Sequence, residues 1–367
     1  MPLIDPSSAY NSAERRALDL LAGMSLQPDG ADLIHAGQVH DIVHTGVVMR
    51  IFLNTDALDD AQQEMLAESI APLLKDIPGV ERVIVKPRPQ AISGGRRIDG
   101  IKRVVAVHSG KGGVGKSTLT AQLALILTHL GIKVGILDAD IYGPSLPILF
   151  GAHGPVQQNP DNQKMTPLVA QGIRLMSLGF LLPDDQALVW RGSLVDEGLS
   201  QFFTDVDWGE LDLLLVDLPP GTSDVHLAAL RTTEFDGVIT VTAPGQVSLD
   251  DVRRGMEMFA DLAVPCLGLV ENMAGVACSG CQQVNHLFGE LGGSALAQEI
   301  GVPLLASIPF YPAVASAADY GTLSEQIQPG SDAYQVLSPI VERLCGSAAG
   351  VFPELRQRSQ LQSEVQL

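Results

Sequence analysis

The sequence has few cysteines and no long apolar run. Its 367 residues include four cysteines, Cys266, Cys278, Cys281 and Cys345, and only two of them are close neighbours. So few thiols exclude a disulfide framework as the means of holding the fold together. No stretch of about 18 or more uncharged apolar residues is present, which excludes a membrane-spanning helix. We therefore expect no membrane partner.

Basic residues are also scarce, and the N-terminus lacks a targeting pattern. The chain carries 23 Lys and Arg against 42 Asp and Glu, a net charge of −19 that repels a polyphosphate backbone. We therefore expect no nucleic-acid partner. The opening residues MPLIDPSSAY lack the basic start and apolar core of a secretory signal, which predicts a cytoplasmic location.

The first part of the chain predicts a small α+β domain over residues 1–86. Helical and strand-like patterns alternate there, with helices at 12–24 and 59–75 and strands at 47–53 and 80–85. Residues 87–101 collect Pro, Gly and Arg without apolar periodicity, which is typical of a linker. The length of the chain is sufficient for two domains.

A second domain is predicted over residues 102–349, followed by a flexible tail at 350–367. Short apolar runs alternate here with helical patterns, as in a parallel sheet that is covered on both faces. The runs are 104–107, 134–137, 213–216, 238–241, 267–270 and 304–308. The helical segment from Ser117 carries an apolar stripe at helical spacing. These patterns predict an α/β fold with a doubly wound, mostly parallel sheet.

A glycine-rich loop follows the first apolar run and precedes a helix. It fits the pattern GxxxxGK(S/T), in which backbone N–H groups and a helix N-terminus surround phosphate oxygens. We expect Lys116 to reach the β and γ phosphates of ATP, and the Ser117 hydroxyl to bind Mg²⁺. The predicted nucleotide-binding loop consists of Gly110, Lys111, Gly112, Gly113, Val114, Gly115, Lys116, Ser117 and Thr118.

Lys111 is a second lysine within this loop. Its simplest role is that of a solvated surface side chain. In P-loop proteins that dimerise face to face, a lysine at this position reaches the nucleotide of the partner and acts like an arginine finger. The sequence KGGVGKST favours this crosswise role in catalysis.

Three carboxylates follow apolar runs, at the edge of the sheet where open α/β proteins bind ligands. Asp138 and Asp140 follow one run, and Asp217 ends another. We expect Asp217 and Asp138 to support the Mg²⁺ shell and Asp140 to orient the attacking water. A cap or turn role is the alternative for these residues.

These segments resemble the Mrp/ApbC/Nbp-type P-loop ATPases, a MinD/ParA-like family of iron–sulfur cluster carriers with a deviant Walker loop. The matching segments are VHSGKGGVGKST (107–118), DADIYGPSLP (138–147), WRG (190–192), VDWGELDLLLVDLPPGTSD (206–224) and ENM followed by CSGC (271–281). The first 86 residues are similar, more weakly, to the MIP18-type domain that often precedes such an ATPase.

The resemblance implies roles that the residues alone do not. Asp217 with residues 219–222 would form the second switch, which senses the γ-phosphate, and Asn272 would recognise adenine. Cys278 and Cys281 would be the ligands of an iron–sulfur cluster, and the sequence leaves its type open between 4Fe–4S, which we favour, 2Fe–2S and zinc in place of a cluster. The implied activity is slow ATP hydrolysis coupled to cluster transfer, with scaffold proteins and apo iron–sulfur proteins as partners.

The Cys278–Cys281 pair is less specific when it is considered by itself. A redox dithiol, half of a zinc site and two unliganded thiols are alternatives, although a loop position disfavours the first. A 4Fe–4S cluster needs about four protein ligands, and one chain offers two neighbouring thiolates. A homodimer would supply the other two, in agreement with the crosswise role of Lys111. We interpret Cys266 and Cys345 as buried or incidental thiols.

Other sites and functions have weaker support in the sequence. His40 and His44 lie four residues apart, but such pairs are more often packed or surface imidazoles than metal ligands. A MinD/ParA-type positioning or partitioning ATPase without a cluster is the main alternative, yet it requires a basic or amphipathic surface that residues 351–367 do not provide. A small-molecule kinase requires an Arg-rich lid, which is absent. A nucleotide-binding scaffold without turnover remains an alternative.

Overall fold

The described residues contain a three-stranded sheet, an eight-stranded sheet and two two-stranded hairpins. Its residue contacts divide the chain into one unit of Met1–Ser93, Glu257–Val264 and Ala295–Val302, and a second unit of Gly94–Met256, Pro265–Ser294 and Pro303–Leu367. The computed structural model describes residues 12–24, 32–45, 47–55, 58, 60–87, 95–140, 143–181, 192–262, 264–278, 280–281, 283–289, 292–345 and 352. The predicted tail, except for Phe352, and the first two residues of the WRG segment lie outside these ranges.

The N-terminal part of the first unit contains a three-stranded mixed sheet. β1 (Val39–Thr45) pairs antiparallel with β2 (Val48–Leu53), which pairs in parallel with β3 (Arg82–Pro87). Helices α1 (Ser12–Leu21) and α2 (Asp60–Leu74) complete an apolar core with the sheet. Its fully buried side chains include Leu21, Ile42, Ile51, Ile70 and Leu74.

The strands of the remaining chain form one large sheet and two hairpins. They are β4 (Ile101–Ser109), β5 (Val134–Asp138), β6 (Gln157–Gln158), β7 (Met165–Thr166), β8 (Leu168–Ala170), β9 (Ile173–Ser177), β10 (Leu211–Asp217), β11 (Gly237–Thr242), β12 (Cys266–Asn272), β13 (Val276–Ala277), β14 (Val284–Asn285) and β15 (Leu304–Ile308). The large sheet has the order β15-β12-β11-β4-β10-β5-β9-β8, and all its pairs are parallel except β8 with β9. β6 with β7 and β13 with β14 form the hairpins.

Helices alternate with these strands. They are α3 (Lys116–His129), α4 (Leu146–Phe150), α5 (Gly192–Thr204), α6 (Asp224–Thr232), α7 (Gln246–Asp261), α8 (Gly292–Ile300), α9 (Pro312–Asp319), α10 (Leu323–Gln326) and α11 (Asp332–Cys345), with a 3₁₀ turn at Leu178–Phe180. No helix within the described ranges has the length and apolar character that crossing a bilayer requires.

The predicted doubly wound α/β fold is confirmed. The six apolar runs correspond to β4, β5, β10, β11, β12 and β15, and every residue of β10 is buried. The stripe on α3 is buried as well, with Leu119, Leu123, Ile126 and Leu127 at most 1% exposed. Burial of each such side chain contributes about 1.5–3 kcal/mol, which is why α3 is fixed against the sheet at the end of the glycine-rich loop.

Candidate phosphate site and cysteine hairpin

The glycine-rich loop joins the C-terminal end of β4 to the start of α3. Gly113 and Gly115 have φ values of +79° and +84°, a region that residues with a Cβ rarely adopt. A Cβ on Gly115 would also lie 2.3 Å from the side-chain nitrogen of Asn272. Glycine at position 115 is therefore required both by the backbone and by the close approach of β12.

A cavity of about 490 Å³ lies at this loop. Its position at the carboxyl ends of parallel strands and at the N-terminus of α3 is the expected place for a phosphate-bearing ligand. The residues that line it are Ser109, Lys111, Gly112, Gly113, Gly115, Lys116, Ser117, Thr118, Asp140, Gly143, Ser145, Ile148, Leu149, Pro220, Met273, Ala318 and Asp319.

Lys116, which lines the cavity, forms a buried ion pair with Asp217. The lysine Nζ lies 2.7 Å from Oδ1 of Asp217, and the two side chains are 6% and 0% exposed. The Ser117 hydroxyl donates to Oδ2 of Asp217, and the Thr120 hydroxyl donates to Oδ1 at 3.0 Å. The carboxylate therefore holds the lysine and the serine of the loop together. Thr120 lies one helical turn after Lys116, outside the GxxxxGK(S/T) pattern, so the motif does not predict its contact with Asp217.

Asp138 lies beside this pair but is engaged by its own loop. Burial, followed by the negative charge of Asp217, raises the pKa of Asp138 above its usual range. Its carboxylate accepts the N–H groups of Asp140 at 3.1 Å and Ser145 at 2.9 Å, and the hydroxyl of Ser177 at 3.2 Å. Asp138 therefore shapes the segment after β5, and Asp140 is the acidic residue of that segment that lines the cavity.

Lys111 and Asn272 contact neighbouring elements of the same chain. The Nζ of Lys111 lies 3.5 Å from Oδ2 of Asp251 on α7, and the lysine side chain is 39% exposed. The side-chain amide of Asn272, at the end of β12, donates to the carbonyl of Val114 at 2.8 Å. No local sequence pattern predicts Asp251 as a partner of Lys111, because the two residues are distant along the chain.

Cys278 and Cys281 lie between the two short strands of the β13–β14 hairpin. The Cys278 N–H donates to the carbonyl of Gln283 at 2.9 Å, and Cys281 is exposed. The backbone N–H of Cys281, then that of Gly280, then the Cys281 thiol lower the pKa of the Cys278 thiol. A lowered pKa favours the thiolate, which is the form that binds metal.

The pKa values of the other two thiols, Cys266 and Cys345, are raised instead of lowered. Burial raises the pKa of Cys266 to about 12 and that of Cys345 to about 11. Within the described ranges, no three or more His, Cys, Asp and Glu side chains are arranged to hold a metal ion, and this includes the surroundings of His40 and His44. Cys278 is half-buried and Cys281 is exposed, so this neighbouring pair of thiols is accessible.

The fold and this loop together define a P-loop nucleotide-binding protein. A buried lysine, a hydroxyl and a strand-end carboxylate surround the N-terminus of a helix that follows a glycine-rich turn. This is the constellation that binds nucleotide phosphates and their Mg²⁺.

Comparisons with known proteins place the chain more narrowly. Residues 100–345 match the ParA-type family described as NUBPL iron-transfer P-loop NTPase. An iron–sulfur cluster carrier protein of Aquifex aeolicus is 34% identical over 361 residues, which cover 90% of this chain and 99% of that protein. The human cytosolic Fe–S cluster assembly factor NUBP2 is 43% identical over 261 residues, which cover 69% of this chain and 96% of that protein.

A solved structure supports the same family. A nucleotide-binding protein of Archaeoglobus fulgidus in complex with ADP has 38% identity and a TM-score of 0.57, over 65% of this chain and 93% of that one. The chain therefore belongs to the NUBPL-type iron-transfer P-loop NTPases, and the predicted family is confirmed.

Proposed function

We propose that the protein is an ATP-hydrolysing carrier that holds an iron–sulfur cluster on Cys278 and Cys281 and transfers it to apo-proteins. The observation that carries this proposal is that strand β12 ends beside the glycine-rich loop and leads directly to the cysteine hairpin. β12 ends at Asn272, which contacts the P-loop at Val114, and the first cysteine follows six residues later. The names of the Aquifex and human relatives support the same cargo.

Hydrolysis is assigned to the residues of the buried ion pair and the cavity. Lys116 would exchange Asp217 for the β and γ phosphates, while Ser117 and Asp217 would hold Mg²⁺, which supplies charge neutralisation when bound. The short contacts of Asp217 with Ser117 and Lys116 fit this group, because a hydroxyl and a carboxylate already converge on one point. Asp140 would orient the attacking water, Asp138 would support the Mg²⁺ shell through the loop that it shapes, and Asn272 would recognise adenine.

A homodimer is part of the proposal. A 4Fe–4S cluster needs about four thiolates, and each chain presents two. A twofold axis would bring two hairpins together and would let Lys111 of each chain reach the nucleotide of the other. The name of the human relative supports a cytoplasmic location. The alternative of a MinD/ParA-type ATPase without a cluster has less support, because the relatives are named as cluster carriers and assembly factors.

Cysteine variants test the assignment of the cargo site. After anaerobic reconstitution with iron and sulfide, Cys278→Ala and Cys281→Ala should lose the broad absorbance near ~400 nm of thiolate-bound iron and still bind ATP. Cys266→Ala and Cys345→Ala are the matched controls and should keep that absorbance. Full cluster absorbance in a Cys278→Ala/Cys281→Ala variant would refute the assignment.

A further inference from the structure

Two buried histidines form hydrogen bonds with the turn that follows β10. The turn runs from Pro219 to Ser223 and joins Asp217 to the start of α6. His108, in β4, and His226, in the first turn of α6, are both 0% exposed. Their rings meet edge to face, with centroids 5.4 Å apart and an interplanar angle of 74°.

Each ring contacts the backbone of the turn. His108 Nε2 lies 3.0 Å from the carbonyl oxygen of Gly221, and His226 Nδ1 lies 3.1 Å from the N–H nitrogen of Ser223. The N–H of Gly221 donates to Ser109 at 2.8 Å, so the peptide groups on both sides of Gly221 are fixed. Gly221 itself has a φ of +79°.

The two rings act as neutral groups. Burial, followed by the charge that His226 would carry, lowers the pKa of His108 to about 3, and burial lowers the pKa of His226 to about 4. Near pH 7 His108 therefore donates its Nε2–H to Gly221, and the bare Nδ1 of His226 accepts from Ser223. Hydrogen bonds of fixed direction, rather than charge, hold the turn.

Helix α7 has a glycine, Gly255, where it passes the His108 ring. A Cβ on Gly255 of α7 would lie 2.2 Å from Cε1 of His108. Burying a polar ring among apolar residues is unfavourable unless it is hydrogen-bonded, so a leucine would be the simpler occupant of this core position. The imidazole is accommodated together with its bond to Gly221.

The front of the same turn faces the phosphate site. Pro220 lines the cavity, and its Cγ would lie 3.8 Å from a Cβ on Gly112 in the glycine-rich loop. Asp217, two residues before the turn, holds Lys116. A displacement of the turn would therefore move groups on the phosphate cavity, while the histidines themselves do not line it.

We propose that His108 and His226 are positioning residues for ATP hydrolysis, which hold the Pro219–Ser223 turn in the place that turnover requires. This inference rests on the proposed ATPase function. Because the histidines act behind the turn, their loss should lower kcat and leave nucleotide binding by the P-loop largely intact.

Paired substitutions at each histidine test the proposal. His108→Leu removes the donor, whereas His108→Gln places an amide N–H at nearly the position of Nε2. His226→Leu removes the acceptor, whereas His226→Asn places an amide oxygen near the position of Nδ1. We expect the leucine variants to lose about tenfold or more in kcat for ATP with less than about threefold change in ATP affinity, and the amide variants to keep most of the turnover. The double leucine variant should lose no more than the product of the single losses, because both rings act on one turn.

The outcomes separate this inference from the function on which it rests. Wild-type kcat in folded His108→Leu and His226→Leu, or equal losses in the leucine and amide variants, would overturn the positioning role alone. A wild-type protein that hydrolyses no ATP would overturn the proposed function and this inference with it. Thermal melts identify a variant that does not fold. If His108→Leu does not fold, because His108 lies in a central strand, the comparison of His226→Leu with His226→Asn tests the positioning role.

Discussion

At the scale of single residues, the two lysines of the glycine-rich loop have different surroundings. Lys116 is 6% exposed and paired with Asp217, whereas Lys111 is 39% exposed and lies beside Asp251. We expect the buried lysine to interact with the phosphates of its own chain, and the exposed one to leave Asp251 and reach the nucleotide of a partner chain.

The two lysines should therefore differ in kinetics. Lys116→Ala should abolish hydrolysis and weaken nucleotide binding, because charge-assisted contacts to phosphate of this kind are worth about 100-fold or more in rate. Lys111→Ala should keep nucleotide affinity and lose turnover. Equilibrium binding of a fluorescent ATP analogue and steady-state hydrolysis measure both quantities. Equal losses of affinity in the two variants would contradict the crosswise role.

The four thiols should differ in reactivity. A lowered pKa means that the Cys278 thiolate forms at lower pH, whereas thiols with pKa values of about 12 and about 11 at Cys266 and Cys345 stay protonated at pH 8. Iodoacetamide should therefore alkylate Cys278 before Cys266 and Cys345, as measured by peptide mass spectrometry over time. Alkylation in urea is the control and should remove the difference between the thiols. Alkylation of Cys345 as fast as that of Cys278 in the folded protein would contradict this ranking.

At the scale of elements, disrupting the contact between β12 and the glycine-rich loop should lower both the free energy of unfolding and the affinity for nucleotide. Gly115→Ala would combine a φ of +84° with a Cβ 2.3 Å from Asn272, and should lose about 1–3 kcal/mol of stability together with nucleotide affinity. Gly113→Ala is the matched control for stability, since it has a similar φ of +79° but a Cβ there would have no atom within 4 Å. Chemical denaturation and ATP titration measure both effects. Equal stability of the two variants would show that the contact with Asn272 is unimportant.

Elements of the central sheet could be predicted where burial makes the sequence continuously apolar. β10 is buried throughout its length, and its run is plain in the sequence. β9 contains the partly exposed Arg174, and β8 is three residues long with Val169 67% exposed, so neither produces a periodic signal of sufficient length. The sequence therefore does not predict the antiparallel edge formed by β8 and β9.

The functional site shows the same division between local and distant information. The glycine-rich loop is contiguous, so its residues were all identifiable from their spacing. His108 and Gly221 are 113 positions apart in the sequence, and no local pattern predicts their contact. Only the order of the strands, with β4 between β10 and β11, brings such residues together.

At the scale of the whole molecule, the proposal requires two chains. Each chain contributes one nucleotide site and one exposed cysteine hairpin, and neither the crosswise lysine nor a four-thiolate cluster is complete within one copy. The MIP18-type resemblance of the N-terminal domain stays a prediction, as do the absence of nucleic-acid and membrane partners.

The number of clusters per chain decides whether a cluster bridges two copies of the protein. Iron and acid-labile sulfide are measured per chain after anaerobic reconstitution, and the molar mass of the same sample is measured by light scattering. We predict a dimer that holds one 4Fe–4S cluster, hence about two iron atoms per chain. A monomer that carries a complete cluster would contradict the bridging arrangement on Cys278 and Cys281.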